Sequence, residues 1–332
     1  MRLHRFASFN FVAADSGGNI MFLHNSMTPV RASGYNWAQY LPGNKKELIW
    51  DSYLPLDSLP QLVNPASGFI LSANQSPFKV TRHPHNPDHS QYRSEDGFPA
   101  RMTNRANRGL ELLIELGPIS ESEFSAIKHD KIYSRHSRAG QFISKTISKV
   151  LETDTPMRYK KAQEHLSDWD LSTDLQNRGA ALGTCIIGGE WLAEQAGEPA
   201  PEHISELKRC TDSLIAATGK IDPKWGDVNR HIRGQLNLPV AGGPDTLRAI
   251  YGLGLENDGF LTNVAGDGLY YLISWNDQQQ TIRGIHQFGS ATLDDSSPHY
   301  ADQTIDFVNE KLHDPLFDDS HRKKQILKRY RP

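Results

Sequence analysis

Cysteine is scarce in this chain: 332 residues carry only Cys185 and Cys210. That excludes a cysteine-built scaffold and any CxxC site, and leaves one disulfide or none, so the redox compartment stays open. Long hydrophobic runs are also missing, and mean hydropathy is −0.56, so no stretch is expected to span a bilayer. Met1, Arg2, Leu3, His4, Arg5 and Phe6 contain no apolar core, so no signal peptide is expected there. Neither sign of charge dominates. Lys and Arg number 36 against 39 Asp and Glu, a net charge of −3, which argues against a dedicated nucleic-acid surface. Glycine (26) and proline (19) indicate neither fibre nor disorder. No HExxH, P-loop or internal repeat is present, and Gly242 and Gly243 lack the spacing of a dinucleotide fingerprint. A hydrophobic share of 37% is enough for a sizeable core in one to three domains.

The apolar runs 9–13 and 20–24 flank a turn containing Gly17 and Gly18, which predicts an antiparallel hairpin that needs further strands to cover it. Pro29, Pro42, Pro55, Pro60 and Pro65 break up residues 25–80, where Trp37, Tyr40, Trp50 and Tyr53 must pack on something. A short apolar strand is expected at 68–71. Residues 79–99 read as a long polar loop holding His83, His85, Asp88 and His89. Helical stripes follow: 105–113, ended by Gly117 and Pro118; Ile143, Ile147, Val150 and Leu151; Ile204, Leu207, Cys210 and Leu214. Residues 178–187 read as a closely packed buried helix. In the last third, a helical turn is expected before Tyr251. Residues 268–275 are a strong strand signal, turning at Asn276 and Asp277 and returning over 281–286. Ala301, Ile305, Val308 and Leu312 mark one helix face.

Three residues carry the chemistry that local sequence can suggest. Asn74 follows an apolar run and precedes Pro77, and reads either as a turn asparagine or as a neutral amide donor to an oxyanion. Arg105 is either a surface arginine or a rigid donor fork that orients a catalytic group. His231, among Asn229, Arg230 and Arg233, is either a structural histidine or a candidate general base. The 83–89 histidines could hold a divalent metal, but a solvated polar loop is the simpler reading.

Taken in order, these blocks resemble a known family. The Ala-Asp-x-x-Gly-Asn-Ile pattern at 14–20, the Val63-to-Ile70 segment followed by Asn74, Gln75, Ser76 and Pro77, and Arg105 with Leu112 and Leu113 resemble the penicillin acylase family of N-terminal-nucleophile hydrolases. So do Trp225 with Gly226, Gly242 with Gly243, and the run 297–303. The resemblance covers nearly the whole chain and includes the acyl-homoserine lactone acylase branch. It implies an α+β chain that forms part of a four-layer αββα fold, with the N-terminal portion missing. It also implies a precursor that cuts itself to expose a serine, whose own α-amine acts as base. Asn74 then falls on the oxyanion-hole asparagine and Arg105 on the arginine that organises the nucleophile, with His231 a candidate supporting residue.

Since Met1 is followed by Arg2, the expected nucleophile is not in this chain. Ser8 and Ser16 lie in the wrong context. The chain is expected to match the C-terminal part of a large subunit: 1–78 core strands and oxyanion segment, 79–99 polar loop, 100–224 mainly helical, 225–320 a return to the core sheets with 268–275 in one of them, and 321–332 a basic tail. The expected partners are the small chain, the serine-bearing segment and a small N-acyl amide: a β-lactam, an acyl-homoserine lactone or a lipopeptide. Neither nucleic acid nor membrane is expected. No cofactor is expected; calcium belongs to the full-length family enzyme, mostly through residues absent here. A full-length member would be periplasmic or secreted. The alternative is a non-catalytic remnant or assembly partner that needs a separately encoded segment. An unrelated α+β domain would require the ordered blocks to be coincidence.

Overall fold

Strand β1 (Phe9–Ala14) turns through Asp15 into β2 (Ile20–Asn25), in antiparallel register from Phe9 opposite Asn25 to Ala14 opposite Ile20. The Asp15 carboxylate accepts from the Gly17 and Asn19 amides, each at 2.9 Å, and Gly18 takes the positive φ the turn needs. The computed structural model describes residues 9–276, 279–291 and 293–314. The basic tail 321–332, Ser8 and the turn residue Asp277 lie outside the described residues. The chain falls into two compact units, one of Met1–Ile119 with His136–Arg138, the other of Ser120–Arg135 with Ala139–Pro332.

In the first unit, β3 (Gln61–Val63) pairs antiparallel with β2, giving the order β1-β2-β3. The irregular stretch 25–80 therefore contains a strand the composition did not reveal. Asn64 ties it to the hairpin, accepting from the Ile20 amide at 2.8 Å and donating to Asn19 Oδ1 at 2.9 Å. The expected strand at 68–71 joins no ladder. Gly68 reverses the chain with a φ of 77°, and the Leu71 amide donates to the Val80 carbonyl at 2.7 Å rather than to a strand neighbour. β2 buries Phe22 and Leu23, while edge strand β1 leaves Phe9 66% and Val12 50% exposed. Trp37 and Trp50 pack 6.1 Å apart with Arg31 over both rings, whereas Tyr40, expected to pack, is fully exposed. The polar loop is folded around Phe78, whose ring meets His89, Tyr92 and Phe98. Helix α1 (Asn104–Leu116) begins at its Thr103 cap and stops at Gly117, φ 68°.

The second unit is built on α2 (Glu121–Lys128), α3 (Arg138–Ser148), α4 (Met157–Ser167), α5 (Ala180–Ala196) and α6 (His203–Thr218). The apolar faces of α3 to α6, with Trp169 just after α4, converge in a core of Phe142, Ile143, Leu166, Trp169, Leu182, Ile186, Leu207 and Leu214. α3 stops at Ser148, so Val150, expected on its buried stripe, is 93% exposed. Cys185 on α5 and Cys210 on α6 form a disulfide. After α7 (Trp225–Val228) come β4 (Asn229–Arg233), β5 (Leu236–Pro239), β6 (Ile250–Leu253), α8 (Leu255–Asp258) and β7 (Leu261–Gly266). The four strands order as β5-β4-β7-β6, with β4 and β7 parallel. Tyr251, expected after a helical turn, lies in β6.

Strands β8 (Leu269–Asn276) and β9 (Gln279–His286) pair with each other throughout their length. Among the described residues they form a separate two-stranded ribbon, not part of a core sheet as 268–275 was expected to be. Helix α9 (Thr304–Val308) is only five residues long and buries Phe307 rather than the expected Ile305, which points to solvent. No described helix is long and apolar enough to cross a membrane.

Candidate active site

Asn74 and Arg105, 31 positions apart, meet in the first unit: Arg105 Nη2 donates to Asn74 Oδ1 at 3.0 Å. Two anchors produce this. Thr103 caps α1 by accepting from the Ala106 amide, and its hydroxyl donates to the Ala73 carbonyl at 2.7 Å, so the helix start is tied to the residue before Asn74. Gln75, fully buried, holds the turn from inside. Its Oε1 accepts from the Ala73 amide at 2.6 Å, and its Nε2 donates to the carbonyls of Leu71 at 2.8 Å and Lys79 at 3.1 Å. The Ser76 amide donates to the Arg101 carbonyl at 2.9 Å. Asn74 sits at the exposed tip of this frame with φ 64°, a conformation that asparagine tolerates better than most residues.

The contact fixes which way the amide faces. A guanidinium only donates, so the Asn74 atom beside it must be the carbonyl oxygen. The Nδ2 group, with both its hydrogens, then points away from Arg105. The arrangement thus presents a neutral N–H donor whose orientation is held by a permanent cation. Arg105 occupies the first turn of α1, where a positive charge is disfavoured by about 0.3–1 kcal/mol. That placement is itself a sequence signal of a positional demand. Gln75 and Thr103, which build the frame, were missed by the sequence reading. Their signal was faint: a carboxamide inside a turn and a capping hydroxyl.

His231 lies in the second unit, fully buried in β4. Its Nε2 donates to the Gln287 carbonyl at 3.0 Å, so Nδ1 is the acceptor, and it takes the Asn263 Nδ2 hydrogen at 2.9 Å. The ring stacks on Phe288 at 5.1 Å. Burial pulls its pKa down to about 4, against which the Gln287 bond works. The imidazole is therefore neutral at pH 7, with both nitrogens engaged, which is the structural alternative for this residue.

A cavity of about 480 Å3 opens near the Asn74 turn, walled by Ser76, Phe78, Lys79, His83, Asp88 and His89 among others, but neither Asn74 nor Arg105 lines it. The pair meets at the surface instead. Among the described residues no group of three His, Cys, Asp or Glu is placed to hold a metal ion. The Asp88 carboxylate caps its own turn, accepting from the Ser90 amide at 2.9 Å and hydroxyl at 2.7 Å, and these bonds keep its pKa below the usual carboxylate range.

Residues 1–324 match the model of the family described as Penicillin amidase. The chain belongs to this family of N-terminal-nucleophile hydrolases. Among curated relatives, it is 38% identical over 72 residues to Penicillin G acylase of Escherichia coli, covering 22% of this chain and 8% of that protein. It is 23% identical over 355 aligned positions to the acyl-homoserine lactone acylase PvdQ of Pseudomonas fluorescens, covering 91% of this chain and 44% of that protein. It is 28% identical over 123 residues to the Penicillin acylase 2 proenzyme of a Pseudomonas species, covering 37% of this chain and 14% of that one. The chain thus spans less than half the length of these relatives. Its mixed α and β fold is similar to the solved thermostable Penicillin G acylase from Alcaligenes faecalis, with a TM-score of 0.57 at 13% identity over 98% of this chain and 67% of that one.

Proposed function

We propose that this chain is the C-terminal part of the large subunit of an amide hydrolase, in which Asn74 supplies one donor of the oxyanion hole and Arg105 positions it. The 3.0 Å bond from Arg105 Nη2 to Asn74 Oδ1 carries this reading, because it aims the Nδ2 hydrogens outward. A serine at the start of the large chain, on a segment outside these 332 residues, attacks the amide carbonyl. Its α-amine takes the hydroxyl proton and passes it to the leaving amine. Negative charge grows on the carbonyl oxygen, where Asn74 donates without changing its own charge. Water then attacks the acyl-enzyme through a second oxyanion at the same donor.

The substrate class is small N-acyl amides: β-lactams, acyl-homoserine lactones or lipopeptides. The names of the relatives favour the first two. The partners are the small chain and the serine-bearing segment. A periplasmic or secreted setting is supported by the Cys185–Cys210 disulfide, a bond that persists in oxidising compartments. A second reading, assembly without catalysis, is favoured by the exposed apolar residues of β1 alone. Hydrolysis of a chromogenic acyl-amide separates the two. The chain assembled with both partner segments should turn the substrate over, and the chain alone should not. An inactive assembly carrying an intact serine would leave only the second reading.

A further inference from the structure

The disulfide between α5 and α6 is presented unequally to solvent. Cys210 is fully buried. Cys185 is only partly buried and lines an open cavity of about 660 Å3 that Cys210 does not line. The walls are largely apolar, formed by Gly188, Gly189 and Leu192 of α5 and by Leu253, Gly254 and Leu255. Arg209 stands at the same wall. Its Nη2 lies 3.1 Å from Cys210 Sγ and 3.5 Å from Cys185 Sγ. Two contacts to the Glu206 carboxylate fix the guanidinium there.

We propose that Cys185 is a thiol-exchange site: a small uncharged thiol enters the cavity and forms a mixed disulfide on Cys185, with Cys210 as the leaving sulfur. The inference is independent of the amide-hydrolase reading. The entering thiol loses its proton to solvent, and the thiolate attacks Cys185 Sγ. The Cys185–Cys210 bond breaks and its electron pair leaves on Cys210 Sγ. A second thiol molecule then attacks the mixed disulfide and releases the oxidised thiol dimer, leaving both cysteines reduced. Which sulfur is attacked follows access, and how fast follows the stability of the leaving thiolate. Access favours Cys185. The leaving charge develops 3.1 Å from a guanidinium. Glu206, paired with Arg209, opposes that charge, but its Oε1 is farther from Cys210 Sγ, at 3.9 Å, than the guanidinium nitrogen at 3.1 Å.

2-Mercaptoethanol, acid quenching and peptide mass mapping test the direction of attack on the 332-residue chain. The expected adduct is on Cys185, with Cys210 recovered as the free thiol. An adduct on Cys210, or a folded chain that yields none, would overturn the proposal. Gly188 supplies the second arm. A Cβ there meets nothing within 4 Å, and residue 188 lies one helical turn from Cys185 on the same wall. Gly188→Leu should therefore fill the cavity mouth while leaving the disulfide formed. Exchange should be slower by at least about tenfold, since access controls the rate. An unchanged rate with the disulfide intact would show that the cavity is not the route.

Discussion

In the proposed reading, Asn74 and Arg105 divide one task between a donor and the group that aims it. In the assembled enzyme, Asn74→Ala should lower kcat by about 10²–10³, the scale for losing one oxyanion donor. Substrate binding should change little, because the charge exists only in the transition state. In the same reading Arg105 acts through Asn74, whose Oδ1 it touches, so its variants should separate orientation from charge. Arg105→Lys keeps one donor for Asn74 Oδ1 and should recover part of the kcat that Arg105→Ala loses. Equal losses in the two would mean that Arg105 does not act through Asn74. His231 sets a different test. Its pKa of about 4 lies below the usual histidine value of about 6.5, so the unfolded chain binds its proton first as pH falls. The stability it contributes is complete above pH 6.5 and is lost as pH drops toward 4. Between pH 7 and 4.5 the loss should be about 2 kcal/mol from this group. Urea unfolding at the two pH values should show a smaller drop for His231→Asn than for the parent chain. Burial also lowers His129 and His24, so the parent slope contains their shares as well.

At the scale of elements, patterns carried by nearby residues were legible in the sequence, and strand partners distant in the chain were not. The stripe of Ile204, Leu207, Cys210 and Leu214 repeats every three or four residues, and α6 buries Leu207, Cys210 and Leu214. The run 178–187 gave a buried α5 because its small residues can lie against a large one. The hairpin was legible too, since its turn chemistry sits within a few residues. β3 has only three residues and owes its existence to the β2 edge, which its own composition does not show. Whether 268–275 joins a sheet or forms a ribbon depends on distant neighbours in the same way. Legibility of the candidate site followed the same rule: Asn74 and Arg105 could be named as candidates from ordered family blocks, while Gln75 and Thr103 act through contacts that only the folded turn creates. The glycines of α5 put the packing account to a direct test. A Cβ on Gly183 would meet the Trp169 ring at 2.1 Å, whereas one on Gly188 meets nothing. Gly183→Ala should destabilise the chain by about 1–3 kcal/mol through overpacking. Gly188→Ala should stabilise it by up to about 1 kcal/mol through helix propensity. Urea midpoints with unchanged slopes check both, and equal effects would refute the close contact with Trp169.

For the whole molecule, the decisive feature is surface that the described residues leave uncovered. Among them, β1 has a strand on one side only, and Phe9 and Val12 face solvent on it. An open edge with apolar side chains is a pairing site, and proteins seldom leave one unused. Net stability is a small difference of large terms, so a segment that binds the folded chain and covers this edge shifts the balance by mass action. At a hundredfold excess over its dissociation constant, such a segment adds about 2.7 kcal/mol. The assembly reading therefore predicts an unfolding midpoint that rises with the concentration of the serine-bearing segment. Val12→Lys locates the effect. Half of that side chain already faces water, so the isolated chain should change by no more than about 0.5 kcal/mol. Placing an ammonium in a covered apolar face, however, carries a desolvation cost, so the partner-induced rise should shrink or vanish. Thermal unfolding of both chains across a titration of the segment measures this. A rise of the same size in Val12→Lys would place the docking surface elsewhere, and a midpoint indifferent to the segment would remove the assembly reading altogether.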